Sequence, residues 1–126
     1  MNKILSTKNA PAAIGPYSQG VQAGNTVYVS GQLYFVPETG ELLEGTIGEM
    51  TDQCMKNIAA ILAEADCTLA DIVKTTIFLK DLNDFAAVNE AYGKFFPQNP
   101  PARACVQVAK LPRDAKVEIE AIAVKG

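Results

Sequence analysis

The sequence predicts an α+β fold, one mixed β-sheet with two helices on one face. Three observations carry that prediction. Short β-rich stretches alternate with two longer helical patterns in the order ββαβαββ. Each helical pattern has a single apolar stripe and therefore one side to bury. Two helices cannot cover both faces of such a sheet, so one face is left to solvent or to sister subunits.

A short strand at Lys3–Leu5 opens the chain, and Gly15-Pro16-Tyr17-Ser18 is a turn signal. Two strands follow, near Gln19–Gln22 and Thr26–Ser30, joined through Ala23-Gly24-Asn25. A loop containing Pro37 and Gly40 then runs to Gly45. Thr46 with Glu49 three residues later reads as a capping box. Behind it Ile47, Met50, Cys54, Ile58, Ile61, Leu62 and Ala65 recur at helical spacing, giving a helix to about Asp66. Ile72–Lys80 is a strand with Val73, Thr75, Ile77 and Leu79 on one side. A second helix runs from about Asn83 to Phe96, with Phe85, Val88, Tyr92, Phe95 and Phe96 facing inward, and Pro97, Pro100 and Pro101 stop it. Strands Arg103–Ala109 and Lys116–Val124 close the chain, joined as a hairpin through Leu111-Pro112-Arg113-Asp114.

The 126 residues fit one domain, 1–126, and a 48% hydrophobic content supplies a core. A net charge of −3 without a basic run argues against a nucleic-acid partner. No apolar stretch is long enough for a membrane span. Three cysteines, Cys54, Cys67 and Cys105, without close pairing read as free thiols in a cytoplasmic protein. The chain has no histidine, which removes the commonest general base and metal ligand. With no Cys-x-x-Cys and no phosphate-cradling glycine loop, no metal or cofactor is expected. Chemistry must then rest on carboxylates, Arg, Tyr, Ser, backbone groups and water.

The chain has only two arginines, Arg103 and Arg113. Arg103 follows Pro100-Pro101-Ala102 and heads an apolar run. Its planar fork suits a carboxylate, so it is a candidate anion receptor. In the expected hairpin Cys105 lies opposite Glu118 and Arg103 opposite Glu120, so all four share one sheet face. That arrangement is either a solvated cross-strand salt bridge or an anion site in which a glutamate handles a proton or a water. Cys105 fits best as a small hydrophobe whose N–H is free to hold an anion. Tyr17, Ser18, Ser30, Gly31 and Asn89 carry ordinary turn, strand-end and helix explanations beside a cleft role.

Several stretches together resemble a known family. They are residues 9–20 (Asn-Ala-Pro-Ala-Ala-Ile-Gly-Pro-Tyr-Ser-Gln-Gly), Val29-Ser30-Gly31-Gln32, Val73-Lys74-Thr75-Thr76, Leu82-Asn83-Asp84-Phe85 with Asn89 and Tyr92, Pro101-Ala102-Arg103 and Val117-Glu118-Ile119-Glu120-Ala121. In this order they resemble the Rid family (YjgF/YER057c/UK114), specifically the RidA-type reactive intermediate (enamine/imine) deaminases. The resemblance implies a chorismate-mutase-like fold of the bacillus type, and a homotrimer with sheets facing inward and clefts between subunits. It implies hydrolysis of 2-aminoacrylate and related 2-imino acids, released by PLP-dependent dehydratases, to 2-keto acids and ammonia. It implies no cofactor of the deaminase's own. Arg103 then resembles the substrate-carboxylate clamp, Cys105 a backbone contact, and Glu118 the group that orients water or moves protons, with Glu120 just beyond it. Tyr17, Ser30 and Gly31 match cleft positions, and Asn89 a peripheral one. Three other readings stand beside this: a 2-keto-acid-binding regulatory trimer with little turnover, a ribonuclease or translation inhibitor, and an aminomuconate-type deaminase.

Overall fold

The computed structural model describes residues 2–126. Eight strands and two α-helices form in chain order: β1 (Lys3–Leu5), β2 (Gly20–Ala23), β3 (Thr26–Gln32), β4 (Phe35–Val36), β5 (Glu41–Leu42), α1 (Ile47–Ala63), β6 (Ile72–Leu79), α2 (Phe85–Gly93), β7 (Ala102–Gln107) and β8 (Val117–Val124). Six strands make one mixed sheet in the order β1-β2-β3-β8-β6-β7, and β4 and β5 form a separate small hairpin. The α+β expectation holds, with two α-helices and a mixed sheet. No helix among the described residues is long and apolar enough to cross a membrane.

Helix α1 begins where its cap dictates. The Thr46 side chain accepts the Glu49 N–H at 3.2 Å, and the Glu49 carboxylate accepts the Thr46 N–H at 2.9 Å. Each bond satisfies a donor that the helix start leaves without a partner. Cys54, Ile58, Ile61 and Leu62 are fully buried, as the stripe requires, and so is Met55. Asn57 is buried too, because its amide donates to the carbonyls of Leu33 and Phe35 at 3.1 and 2.9 Å. It thereby ties α1 to the segment leading into the β4–β5 hairpin, where the sequence predicts only a loop. Helix α1 stops at Ala63, and the chain turns through a left-handed Asp66 (φ 58°). Helix α2 is shorter than its pattern. A 3-10 turn at Leu82–Asp84 precedes it, and Phe95 and Phe96 lie beyond its end.

The core lies between the helices and one sheet face, on which Leu5, Val27, Ile77, Leu79, Val117 and Ile119 are all 1% exposed or less. Of the four β6 residues predicted to share a side, Thr75, Ile77 and Leu79 do point inward but Val73 does not, being 46% exposed. A register shift between Ile72 and Lys74 makes Val73 the extra residue of a bulge, and Ile72 turns inward instead.

The predicted β7–β8 hairpin does not form. Strand β6 lies between the two, antiparallel to β8 and parallel to β7. Parallel neighbours need a crossover, and α2 supplies it. The segment after β7 passes the end of β6, where the Val108 N–H bonds Leu79 O (2.9 Å) and the Lys80 N–H bonds Lys116 O (3.0 Å), before β8 enters the middle of the sheet. Strand β7 is therefore an edge. Its neighbours in register are Thr75 beside Arg103, Ile77 beside Cys105 and Phe78 beside Val106.

Residues in register share a face, so Arg103 and Cys105 lie on the helix-covered side with Thr75 and Ile77. Glu118 and Glu120 lie on the open side, in register with Phe78 and Thr76. The expectation that all four share one face is overturned by the inserted strand. Val106 is likewise on the open side, 43% exposed. That side also has a row in register across four strands: Ile4, Val21, Tyr28 and Ile122. Ile4 and Tyr28 are 61% and 49% exposed.

Candidate active site

The residues singled out in the sequence gather into two groups. The first is centred on Arg103, at the β7 edge. Its guanidinium lies 5.3 Å from the centre of the Tyr92 ring and 5.5 Å from that of Phe85, both on α2. One terminal nitrogen donates to Asn89 Oδ1 at 2.6 Å. Phe85, Asn89 and Tyr92 recur at four and three residues along α2, so one helix face presents all three. The Tyr92 hydroxyl in turn shares a buried 2.7 Å hydrogen bond with Thr75 Oγ1. Beside the guanidinium opens a cavity of about 470 Å³ lined by Asn89, Tyr92, Phe96, Pro100, Pro101 and Arg103. Its walls are largely apolar, with one fixed cation, which suits a small organic acid.

Cys105 lies two residues along from Arg103 and is half-buried. Burial pushes its thiol above the ordinary range, and Arg103 only partly opposes this. A thiol held protonated is a poor nucleophile. The structure thus agrees with reading Cys105 as a small hydrophobe.

The second group is centred on Glu118, on the open face. Burial raises its carboxyl above the usual carboxylate range, and the neighbouring Glu120 adds to the effect. No cation pairs with Glu118 or Glu120 among the described residues, whose ion pairs are Lys80–Asp114 and Lys125–Asp66. Among the described residues of one chain there is neither an Arg103 salt bridge nor a shared Arg–Glu cleft. Glu118 finds room because Gly31 has no side chain. A Cβ at Gly31 would meet Glu118 Cδ at 2.9 Å and Oε2 at 3.1 Å. The β3 register shift between Val29 and Gln32 places Ser30 and Gly31 at this point.

Ser30 links this group to the loop that carries Tyr17. Its hydroxyl donates to Ser18 O at 2.6 Å, and its N–H donates to Gln19 O at 2.9 Å. Tyr17 itself is 53% exposed, and its hydroxyl accepts the Ile14 N–H at 3.3 Å. What holds this loop in place is a long-range clamp that no local pattern announces. Gln19 is 5% exposed, and its amide accepts from Thr7 N (2.7 Å) and donates to Thr7 O (3.1 Å), Ala10 O (3.3 Å) and Pro11 O (2.7 Å). A buried side chain that satisfies four backbone groups fixes the loop path, and with it the position of Tyr17.

The Endoribonuclease L-PSP family model matches residues 7–125. The chain belongs to this family, the Rid family. A mouse 2-iminobutanoate/2-iminopropanoate deaminase is 52% identical over 126 residues, covering all of this chain and 93% of that protein. The Escherichia coli K12 protein of the same name is 52% identical over 128 residues, covering 99% of each. The crystal structure of E. coli TdcF with bound serine is 47% identical and has a TM-score of 0.94, covering 98% of this chain and 99% of that one.

In this Rid-family chain the two groups occupy opposite sides of the sheet. Arg103, Cys105 and Asn89 make one group; Glu118, Gly31, Ser30 and Tyr17 make the other. Strand β6 separates β7 from β8, which sets the two backbones roughly 10 Å apart besides the difference of face. The close approach at Gly31 yields a direct test. Gly31→Ala forces the Glu118 carboxyl aside, and because that is the end of a flexible side chain the fold tolerates the shift. Turnover should fall ~10- to 100-fold, the scale of a catalytic group misplaced by about 1 Å, with little change in melting temperature. Turnover equal to that of the unsubstituted chain would show that Glu118 need not sit where it does.

Proposed function

We propose that this chain is a 2-iminobutanoate/2-iminopropanoate deaminase, an enzyme that hydrolyses imines of small 2-keto acids to the keto acid and ammonia. One observation carries the reading. A fixed guanidinium beside a small apolar cavity and a carboxyl with a raised proton affinity occur in a chain about half identical, end to end, to curated deaminases of that name.

The chemistry asks little of the site. An enamine such as 2-aminoacrylate first takes a proton at its terminal carbon and becomes the imine. Water then adds to the C=N carbon, giving a carbinolamine. Loss of ammonia from that adduct leaves the 2-keto acid. Arg103 holds the substrate carboxylate in two-point fashion and so fixes the carbon to be attacked. Glu118 takes a proton from the attacking water and returns it to the leaving nitrogen. Its raised proton affinity brings it closer to the range where one group serves in both directions.

Because the halves lie on opposite faces of one chain, a complete site needs two copies. Arg103 of one copy lines the same cleft as Glu118 and Tyr17 of the next, with the substrate lying between the guanidinium and the carboxyl. Such contacts fit a closed ring in which each copy gives Arg103 to one neighbour and Glu118 to the other, and the smallest such ring has three members. The homotrimer implied by the resemblance is that smallest ring. The open face fits an interface too, since Ile4, Tyr28, Val106 and Val124 are apolar and well exposed on it. This packing is the chorismate-mutase-like trimer with sheets turned inward.

The serine bound to TdcF is likewise a small molecule with a carboxylate. The family model's description is endoribonuclease, but a net charge of −3 and a chain without histidine do not favour RNA cleavage. The test of function couples a PLP-dependent threonine dehydratase to this protein and follows 2-ketobutyrate. The expected result is keto-acid release faster than spontaneous hydrolysis and proportional to added protein. Release at the spontaneous rate would refute the deaminase assignment.

A further inference from the structure

We infer that Asn89, Phe85 and the Thr75–Tyr92 pair are positioning residues that hold the Arg103 guanidinium in one orientation. The inference deepens the proposed function, since it rests on Arg103 being the carboxylate receptor, and it gives Asn89, a peripheral cleft position by the family resemblance, a role toward Arg103 rather than toward the substrate. Arg103 is an exposed side chain on an edge strand, and an arginine so placed ordinarily samples many rotamers. Here three groups limit it. Two aromatic rings lie 5.3 and 5.5 Å from the guanidinium carbon, and the Asn89 carbonyl oxygen takes one terminal N–H at 2.6 Å. That contact uses the amide's only acceptor, and an arginine can offer only donors, so the amide is oriented with its oxygen toward Arg103.

The Tyr92 ring is itself pinned. Its hydroxyl meets Thr75 Oγ1 at 2.7 Å, and Thr75 is fully buried in β6, in register with Arg103. The strand beside the arginine therefore fixes the ring that stacks on it. Phe85 is 38% exposed although it belongs to the apolar stripe of α2, and lying within reach of the guanidinium gives that exposure a use. The arrangement leaves the guanidinium's remaining donors free for an anion in a fixed plane, so binding does not have to order the side chain.

The isosteric variant Asn89→Asp decides between positioning and packing. If Asn89 only fills space, a carboxylate of the same shape is harmless. If it holds Arg103, the carboxylate captures the guanidinium and repels the incoming anion. The dissociation constant for 2-ketobutyrate by calorimetry should then rise about tenfold, with the melting temperature little changed. A second readout does not depend on the activity. The chain has two arginines, so its Nε–Hε spectrum contains two signals, and Arg113→Lys assigns them. The Arg103 signal should be rigid in the unsubstituted protein and mobile in Asn89→Ala, with Arg113 unaffected. Tyr92→Phe should lower both stability and Arg103 rigidity. Adding Thr75→Val removes the orphaned hydroxyl and should restore the stability but not the rigidity. An Arg103 signal as rigid in Asn89→Ala as before, or unchanged 2-ketobutyrate binding by Asn89→Asp, overturns the inference. If no imine is hydrolysed, the deaminase reading fails alone, and the Arg103 signal still decides this one.

Discussion

Arg103→Ala is expected to lower kcat/KM for imine hydrolysis by ~30- to 1000-fold, the range that corresponds to about 2–4 kcal/mol of lost interaction with a charged, hydrogen-bonded partner. The loss comes from one side chain because nothing near it can substitute. The lining of the adjoining cavity offers no second cation, and Arg113, the other arginine, stacks on Phe35 instead, 5.5 Å from that ring. Arg103→Lys keeps the charge but not the fork, and a flexible ammonium cannot take up the plane defined by Tyr92 and Asn89. It should recover part of the rate and leave KM raised. The fold should tolerate both changes, since Arg103 is exposed and on an edge strand.

Cys105→Ser is the contrasting change, two residues along the same strand. The thiol is held protonated by burial, and the anion contact that the family resemblance implies at this position is one of the backbone N–H, which serine keeps. Most of the activity should survive. Kinetic assays of the three variants side by side check the claim. Equal loss in Arg103→Ala and Cys105→Ser would make the thiol a participant and undo the assignment of roles on β7.

Local patterns in this sequence were legible and long-range pairings were not. Helix α1 starts at its predicted cap because Thr46 and Glu49 are three residues apart, and its stripe needs no partner to be recognised. Even the chemistry-bearing residues stood out by type, since two arginines and no histidine leave few candidates. What failed was the neighbour of β7. Sequence adjacency favours a hairpin, but the link from β7 to β8 spans residues 108–116, longer than a tight hairpin loop. Two further signals pointed the same way. Residues 102–107 read Ala-Arg-Ala-Cys-Val-Gln, poor in large apolar groups as an edge strand is, and a helix lies between β6 and β7 as a parallel crossover requires. Inserting one strand reversed the face of every residue assigned to β7. Val73 failed for a different reason, because a bulge breaks the alternation on which strand faces are read. The Gln19 clamp and the Thr75–Tyr92 bond join residues 8 to 17 positions apart, and no local pattern encodes such a meeting.

Glu118→Gln should abolish most turnover yet leave the protein slightly more stable at neutral pH, and the two effects have one cause. Burial and Glu120 raise the carboxyl's affinity for a proton in the folded chain relative to the unfolded one. A carboxyl raised in this way favours the folded state at pH values below its unfolded range, and that advantage is lost as the pH rises through the folded value and the group must ionise against its surroundings. At neutral pH the charged carboxylate is therefore a strain on the fold that glutamine removes. Calorimetric melting of the two proteins should show the variant higher by about 2 °C at pH 7, with the gap closing toward pH 4. A variant that melts lower at pH 7 would mean that Glu118 has a stabilising partner. Activity carries the second half of the test. If each site takes Arg103 from one copy and Glu118 from the next, Arg103→Ala and Glu118→Gln chains are both inactive alone. Unfolded together in equal amounts and refolded, they form mixed rings. Any site has an intact arginine half the time and an intact glutamate from its neighbour half the time, so about a quarter of the activity should return. Were both halves drawn from a single chain, every site would carry one lesion and mixing would restore nothing.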